Sequence, residues 1–405
     1  MRLHVMTNRH RLTGGAIEAP FTGERLGISG GDLWVLRGKP AVAAGTRVAA
    51  GDLLFEDRKR PWIRFMSPVA GVVSRLETGP RRGLSEIEIT PDGIASRNFP
   101  LRGPLNRAVL TELMVEAGLW TALRTRPFGR VPDPSIPPDA IFVTLTDGHP
   151  GAPDPAVVLP NLAHWLQRGL TALPLLTDGP IHLCHPPGLT VPEVPGIRSH
   201  GRPPGLPSAQ IHALHPVSEA GMVWHLPWQE VVALGHLLEE RTIWPQRILA
   251  LSGAAMARPG LVLAPIGARL HDIVAGRLKD VPLRLLAGGA HGQAARFLRP
   301  GIYQITALQH QEAPRLYRAG WLSRLVTPQS AALIPNPWDE AAAPPGILSV
   351  PLMRALASGD VMAARDLGAL GLIEEDLAAI SHRLRGDVDY PALLRSTLDA
   401  LEALQ

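Results

Sequence analysis

A chain of 405 residues with 45% hydrophobic side chains, 40 glycines and 41 prolines is long enough for several domains, each with its own core, and reads as globular and loop-rich. The formal net charge is only +4, and the basic runs, Arg58 to Arg60 and Arg81 to Arg82, are too brief for a nucleic-acid arm. The single cysteine, Cys184, excludes an internal disulfide and an iron–sulfur cluster ligated by cysteines of this chain, and fits a reducing compartment. The opening M-R-L-H-V-M-T-N-R-H-R lacks the apolar core of a signal peptide, and no stretch reaches the ~18 apolar residues of a membrane span. Membrane contact is therefore expected only through partners.

From Met1 to about Pro100, short alternating apolar runs broken by glycines predict small antiparallel strands. Val42 to Asp57 and Phe65 to Leu76 form two similar halves, a pattern that resembles the barrel-sandwich hybrid of lipoyl and biotinyl carrier domains. Lys59 falls near the place of the modified lysine in those carriers. A carrier lysine sits on a tight hairpin tip, whereas R-K-R-P-W lengthens and stiffens this one, so a solvated basic turn is favoured over a swinging arm.

Val109, Leu110, Leu113 and Met114 recur at helical spacing over Ala108 to Ala117, and Gly118 follows where a helix ends with positive φ. Next comes E-A-G-L-W-T-A-L-R-T-R-P-F-G-R-V-P-D-P, in which prolines forbid a continued helix. Arg124, Arg126 and Arg130 either meet an anionic group or acidic partner, with Trp120 and Phe128 as stacking surface, or pin the loop to neighbouring carboxylates and carbonyls. Spacing alone leaves both open.

Strands over Ala140 to Leu145, Ile181 to His185 and Gly221 to Leu226 alternate with helices over Asp154 to Leu170 and Trp228 to Glu240, which predicts an open α/β sheet of Rossmann-like layout. No G-x-G-x-x-G follows any strand, and T-D-G-H-P-G-A-P-D-P is a poor phosphate cradle. His182, Cys184 and His185 offer three potential ligands within four residues. Alternation along a strand sends neighbours to opposite faces, however, and no second cysteine exists, so a buried strand cysteine is the simpler reading. After Arg247 come a strand, a glycine turn, a second strand and a helix from Arg269 to about Ala275. Gln309 to Pro345 is polar, with Gly320-Trp321 as its main apolar anchor, and reads as a connector. Leucines at three- and four-residue intervals then predict helices over Val350 to Leu356, Asp360 to Ala369, Glu374 to Ile380 and Tyr390 to Leu404. No Ser–His–Asp order, paired-carboxylate motif, P-loop or H-E-x-x-H appears, so no independent catalytic site is expected.

G-L-W-T-A-L-R-T-R-P-F-G-R-V-P, together with W-H-L-P-W-Q-E-V-V-A-L-G-H-L-L, closely resembles the signature of the A subunits of the sodium-translocating NADH–quinone reductases. Those subunits are themselves similar to the C subunits of Rnf complexes and to the flavin-binding NADH subunit of respiratory complex I. Where the relatives carry a glycine-rich flavin loop, this chain has Thr121, Leu123, Arg124 and Arg126, which implies a closed flavin site. The absent cysteines in the last helices favour the pump subunit over the Rnf subunit.

The resemblance implies an α/β multidomain chain, α+β overall. It places a barrel-sandwich hybrid over 1–100, a Rossmann-like α/β domain over 101–244 and a soluble-ligand-binding β-grasp domain over 245–308. A connector follows over 309–345, shorter than in the family, and a C-terminal helical domain over 346–405. It implies a scaffold with no catalytic, cofactor-binding or metal residues of its own, in a six-subunit complex that uses NADH, FAD, FMN, riboflavin, an iron–sulfur centre, ubiquinone and Na+. The flavin-bearing membrane subunit would be its chief partner, on the cytoplasmic side of the bacterial inner membrane. Trp120, Arg124, Arg126 and Phe128 are the candidate partner or quinone contacts. The alternatives are a divergent paralogue in another membrane electron-transfer complex, a stand-alone ligand-binding adaptor, and a carrier modified at Lys59.

Overall fold

The computed structural model describes residues 17–18, 21, 23–30, 38–78, 84–149, 151–217, 221–290, 292–309, 346–383 and 388–404. The Gly320-Trp321 anchor and nearly all of the expected connector lie outside the described residues.

The first strands are β1 (Leu26–Ser29), β2 (Gly38–Pro40), β3 (Arg47–Val48), β4 (Leu53–Asp57), β5 (Arg64–Met66), β6 (Gly71–Thr78) and β7 (Leu84–Pro91). They build two small antiparallel sheets, ordered β1-β7-β6-β3 and β2-β4-β5. Inward-facing Val48, Leu54, Phe55, Val73, Ile87 and Ile89 close a core between the sheets. Phe65 stacks on Phe55 with ring centroids 4.5 Å apart. Lys59 sits in the turn between β4 and β5, where the Asp57 Oδ1 accepts the backbone N–H groups of Lys59 (2.8 Å) and Arg60 (3.0 Å). That side-chain bracket makes a wide turn in place of a tight hairpin tip.

The second unit comprises α1 (Arg107–Glu116), β8 (Arg124–Arg126), β9 (Ala140–Thr144), α2 (Pro155–Val158), α3 (Ala163–Ala172), β10 (Ile181–His185), β11 (Ile197–Gly201), α4 (Pro207–Leu214), β12 (Val223–Pro227) and α5 (Trp228–Glu240). Its sheet runs β11-β10-β9-β12-β8; the first four strands are mutually parallel and β8 pairs antiparallel with β12. The period-2 alternation divides the strand residues between two faces. Ile141, Val143, Ile181, Leu183, Trp224 and Leu226 join the core with α3 and α5, while Ala140, Phe142, Cys184 and Val223 pack with Ile211 of α4. A sheet covered on both sides needs the apolar run that β9 supplies and that β12 supplies with His225 as its one polar interruption. The α3 and α5 backbones touch: a Cβ at Gly235 would lie 1.8 Å from the Trp165 carbonyl oxygen, and one at Gly169 2.1 Å from that of Val231.

The single helix expected over Asp154 to Leu170 is interrupted. Asp154 caps α2 by accepting the Ala156 N–H (3.0 Å), but Pro160, with no N–H to donate, falls in a 3-10 turn before α3 begins.

The third unit holds β13 (Gln246–Ser252), β14 (Gly260–Pro265), α6 (Leu270–Ile273), β15 (Leu283–Ala287) and β16 (Gln304–Gln309), ordered β14-β13-β16-β15. The two central strands are parallel and both edges antiparallel. The helix expected over Arg269 to Ala275 is a single turn closed at Val274. Glu88 of β7 ties this unit to the first, accepting from Arg269 Nη2 (2.7 Å) and Arg296 Nη2 (2.8 Å). The last helices, α7 (Ser349–Ser358), α8 (Val361–Asp366), α9 (Glu374–Arg383) and α10 (Tyr390–Glu402), fall within about three residues of the sequence expectation and enclose a core of their own.

Candidate functional site

Three features converge on the Glu116 to Pro134 segment: the turn that ends α1, the arginine strand β8, and a cavity at the meeting point of the first three units.

Gly118 takes φ 73°, and a Cβ there would lie 2.7 Å from Met66 Cγ and 3.0 Å from the Arg64 carbonyl oxygen. Both demands, positive φ and close backbone approach, select glycine. The turn drives Trp120 into the interior with no exposed surface, where its Nε1–H donates to the Pro132 carbonyl (2.9 Å) and its ring meets Trp224 edge-on at 5.3 Å.

In β8 the Arg124 Nη1 donates to the carbonyls of Thr121 (2.5 Å) and Leu123 (2.7 Å). Burial, and then the neighbouring Arg126 charge, push Arg124 down to about 10. Arg126 is fully buried; its Nε and Nη2 donate to Ser208 Oγ (3.4 and 3.2 Å), and that hydroxyl donates to Asp376 Oδ2 (2.7 Å) at the start of α9. Burial lowers the Arg126 affinity for its proton and raises that of Asp376, each opposed by the attraction between them.

Arg126-Pro127 is a cis peptide bond, and Phe128 follows with φ 72°. The Phe128 ring enters the core of α7–α10, and its carbonyl accepts from Arg395 Nη1 (2.9 Å). Arg395 also grips Glu374 by Nε (2.6 Å) and Nη2 (3.2 Å). Arg130 Nη2 donates to Asp399 Oδ1 (2.7 Å) and Glu402 Oε2 (2.6 Å) on α10. The loop thus clamps the C-terminal helices to the parallel sheet through carboxylates and carbonyls, the second of the two sequence readings.

A flavin phosphate needs free backbone N–H groups. Here the Thr125 N–H donates to the Arg130 carbonyl (2.8 Å), the Gly129 N–H to the Thr125 carbonyl (3.0 Å) and the Arg130 N–H to Thr125 Oγ1 (3.0 Å). Leu123 and Arg126 fill the interior beside them. These three N–H groups are therefore taken by acceptors of the segment itself.

The cavity, about 110 Å³, lies between β1, β5, the Gly118 turn, α5 and the 297–300 loop, with an apolar lining drawn from Ile28, Phe65, Leu119, Ala233, Leu237 and Phe297. Its charged lining is Arg64, Arg299, Glu230 and Arg247, the last two joined by Arg247 Nη2 to Oε2 (2.5 Å) and Nε to Oε1 (2.9 Å). Oε1 also accepts from the Gly301 N–H (3.2 Å) and the Tyr303 hydroxyl (3.1 Å). Burial alone would raise Glu230, but Arg247 and these donors hold it below the usual carboxylate range. Burial and the Glu230 charge push Tyr303 well up. This pair joins α5 to the third unit.

Of the four sequence candidates, Trp120, Arg126 and Phe128 are buried and Arg124 is half-buried; all four belong to one continuous segment. Sequence reasoning missed Glu230, Arg247, Ser208 and Asp376. For Glu230 a signal existed, a lone acid inside W-Q-E-V-V-A-L that is followed directly by an apolar run.

His182 and Cys184 share a face of β10. His182 Nδ1 lies 3.0 Å from His200 Nε2, burial and the neighbouring cations push His182 down to about 4, and burial pushes the Cys184 thiol up to about 12. Among the described residues no group of three or more His, Cys, Asp or Glu side chains is placed to hold a metal ion, and no helix is long and apolar enough to cross a membrane.

Two family models match this chain: the NqrA N-terminal barrel-sandwich hybrid domain over residues 14–92 and the NqrA second alpha/beta domain over residues 105–243. The A subunit of the Na(+)-translocating NADH-quinone reductase of Pseudomonas aeruginosa is 34% identical over 95% of both chains. Its Klebsiella pneumoniae counterpart is 33% identical over 94% of both, and that of Yersinia pestis 32% over 91% of both. Among solved structures, an NAD+-reducing NiFe-hydrogenase in the H2-reduced state aligns at a TM-score of 0.38 and 13% identity, covering 77% of this chain and 67% of that one, a likeness too slight to carry an argument.

Proposed function

This chain belongs to the NqrA family, the A subunits of the Na(+)-translocating NADH-quinone reductases, and from that premise we propose its place in the enzyme. It is a peripheral subunit of a sodium-pumping complex that oxidises NADH, reduces a quinone and exports Na+. The observation that carries this reading is end-to-end similarity: 34% identity over 95% of both chains leaves no room for a borrowed domain in an unrelated protein.

The finer reading treats the chain as a scaffold without a redox centre. The engaged N–H groups of Thr125, Gly129 and Arg130 support it, since the segment's own acceptors take donors that a phosphate would need. FAD, FMN, riboflavin and the iron–sulfur centre then belong to the other chains of a six-subunit assembly, and ubiquinone is the acceptor. The chief partner is the membrane subunit that bears a flavin, met from the cytoplasmic side. We divide the chain into a barrel-sandwich hybrid over 1–100, a Rossmann-like domain over 101–244, a β-grasp domain over 245–308, a connector over 309–345 and a helical domain over 346–405. The β14-β13-β16-β15 order with a parallel central pair supports the β-grasp assignment, and the four parallel strands with helices on both faces support the Rossmann-like one. Trp120, Arg124, Arg126 and Phe128 act on partner contacts by fixing the C-terminal helices; a direct quinone contact falls to Arg124, the one with partial exposure.

Deleting the gene in its host and assaying membranes tests the assignment. The Na+-stimulated, NADH-driven reduction of ubiquinone disappears and returns when this chain is supplied again. An unchanged rate in the deletion strain contradicts it.

A further inference from the structure

The basic turn R-K-R-P-W takes no part in the arginine clamp. It stands beside a separate groove of about 600 Å³, walled by Pro61, Trp62 and Arg64 on the turn side and by Arg107, Thr111 and Val115 along α1. Because Leu110, Leu113 and Met114 face the core, the opposite row of α1, which holds Ala108, Thr111 and Val115, is the one left for the groove.

Two observations define what fits there. The first is charge. Arg60 is held by Asp57 (3.5 Å) and Arg64 by Glu56 (3.7 Å), but Arg58 and Lys59 are exposed and have no carboxylate partner among the described residues. The one acid in the groove wall, Glu112, is engaged by Arg102 (2.5 Å). The second is hydrogen bonding. Trp62 Nε1, Arg107 Nη2 and Thr111 Oγ1 are each covered and each lack a partner, although Arg107 Nη1 is fixed on the Leu176 carbonyl (2.5 Å). Three such groups around one groove depart from the rule that covered polar atoms are paired, and all three can donate. Their residues are only partly buried, so an acceptor reaches them through side-chain adjustment of the kind common on docking.

We propose that this groove and turn receive an extended segment of a partner subunit bearing a carboxylate side chain beside an apolar residue. The carboxylate lies against Arg58, Lys59 and Arg107, and the apolar residue covers Trp62, Pro61 and Pro134. Unpaired cations at the rim speed encounter and set orientation, while the covered donors supply the specific contacts. The inference rests on the reading of this chain as one subunit of a larger complex.

The test is photo-cross-linking in the assembled complex. The full-length chain, expressed in its host with Ala108→p-benzoylphenylalanine, is irradiated in native membranes, and cross-linked peptides are sequenced by mass spectrometry. Co-purification of the partner subunits is scored in the same preparation. The expected result is a cross-link to one partner subunit with an Asp or Glu within about four residues of the linked site. Arg58→Glu with Lys59→Glu, both exposed and outside every core, lowers its yield about tenfold at physiological salt. Partners that co-purify while the cross-link is missing, falls on lipid, lacks a nearby acid or ignores the charge reversal overturn this inference alone. A chain that co-purifies with no partner overturns the subunit reading with it.

Discussion

Glu230 and Arg247 are almost fully enclosed, with side chains 1% and 3% exposed, and among the described residues each is the other's only charge partner by hydrogen bond. Removing one charge strands the other in a low-dielectric wall, at a cost of about 3–5 kcal/mol. Glu230→Gln is therefore expected to lower the urea midpoint with an unchanged m-value, and Glu230→Leu with Arg247→Met to recover most of the loss. A single variant as stable as the parent would show that the pair is not the anchor between α5 and β13. Gly118 poses a steric counterpart: Gly118→Ala is expected to cost about 2 kcal/mol, since positive φ and the Met66 and Arg64 contacts both oppose a Cβ.

The β8 strand and the loop after it act on whole helices. Phe128 fills the core of α7–α10, so Phe128→Ala should cost about 3–5 kcal/mol, concentrated in the C-terminal unit. Amide hydrogen exchange should quicken across 349–402 and stay slow in β9, β10 and β12; uniform quickening would mean that the helices and the sheet unfold as one. These elements also show what is legible in the sequence. Its expectation matches β10 and α5 to the residue, because Pro180 and Pro186 bracket β10 and Pro227 stands immediately before α5. It reads β8 as loop. Three residues paired with β12 across nearly a hundred intervening positions leave no local periodicity to read. β15 and β16 escape it as well. The arginines are legible as a feature, but their partners are not, because Ser208, Asp376, Asp399 and Glu402 lie 80 or more residues away and spacing carries no information about them.

At the scale of the molecule, the five cores among the described residues meet at charged and glycine-lined junctions, and buried histidines make that arrangement sensitive to acid. Burial and the charges of Arg126 and Arg124 push His225 down to about 3, and its Nε2 lies 2.9 Å from Thr144 Oγ1. A histidine whose folded value is depressed binds fewer protons folded than unfolded, so its contribution is complete above about pH 6.5 and is lost as pH falls towards the folded value. Between pH 6.5 and 5 that loss is about 2 kcal/mol for His225, with His182 adding a similar amount. Thermal melts of the parent and of His225→Gln over this range should differ in slope by about one proton. Parallel slopes would contradict the assignment.

The central claim, that this chain is a peripheral scaffold of a sodium-pumping NADH–quinone reductase, is reached most directly by purifying the tagged protein from its native membranes in mild detergent. The co-purifying chains are then identified, and a visible spectrum is recorded of the tagged chain after its release. The account predicts the other reductase subunits in the preparation and a colourless isolated chain. A yellow chain that retains flavin would contradict the scaffold reading, and a chain that emerges alone would contradict its place in the complex.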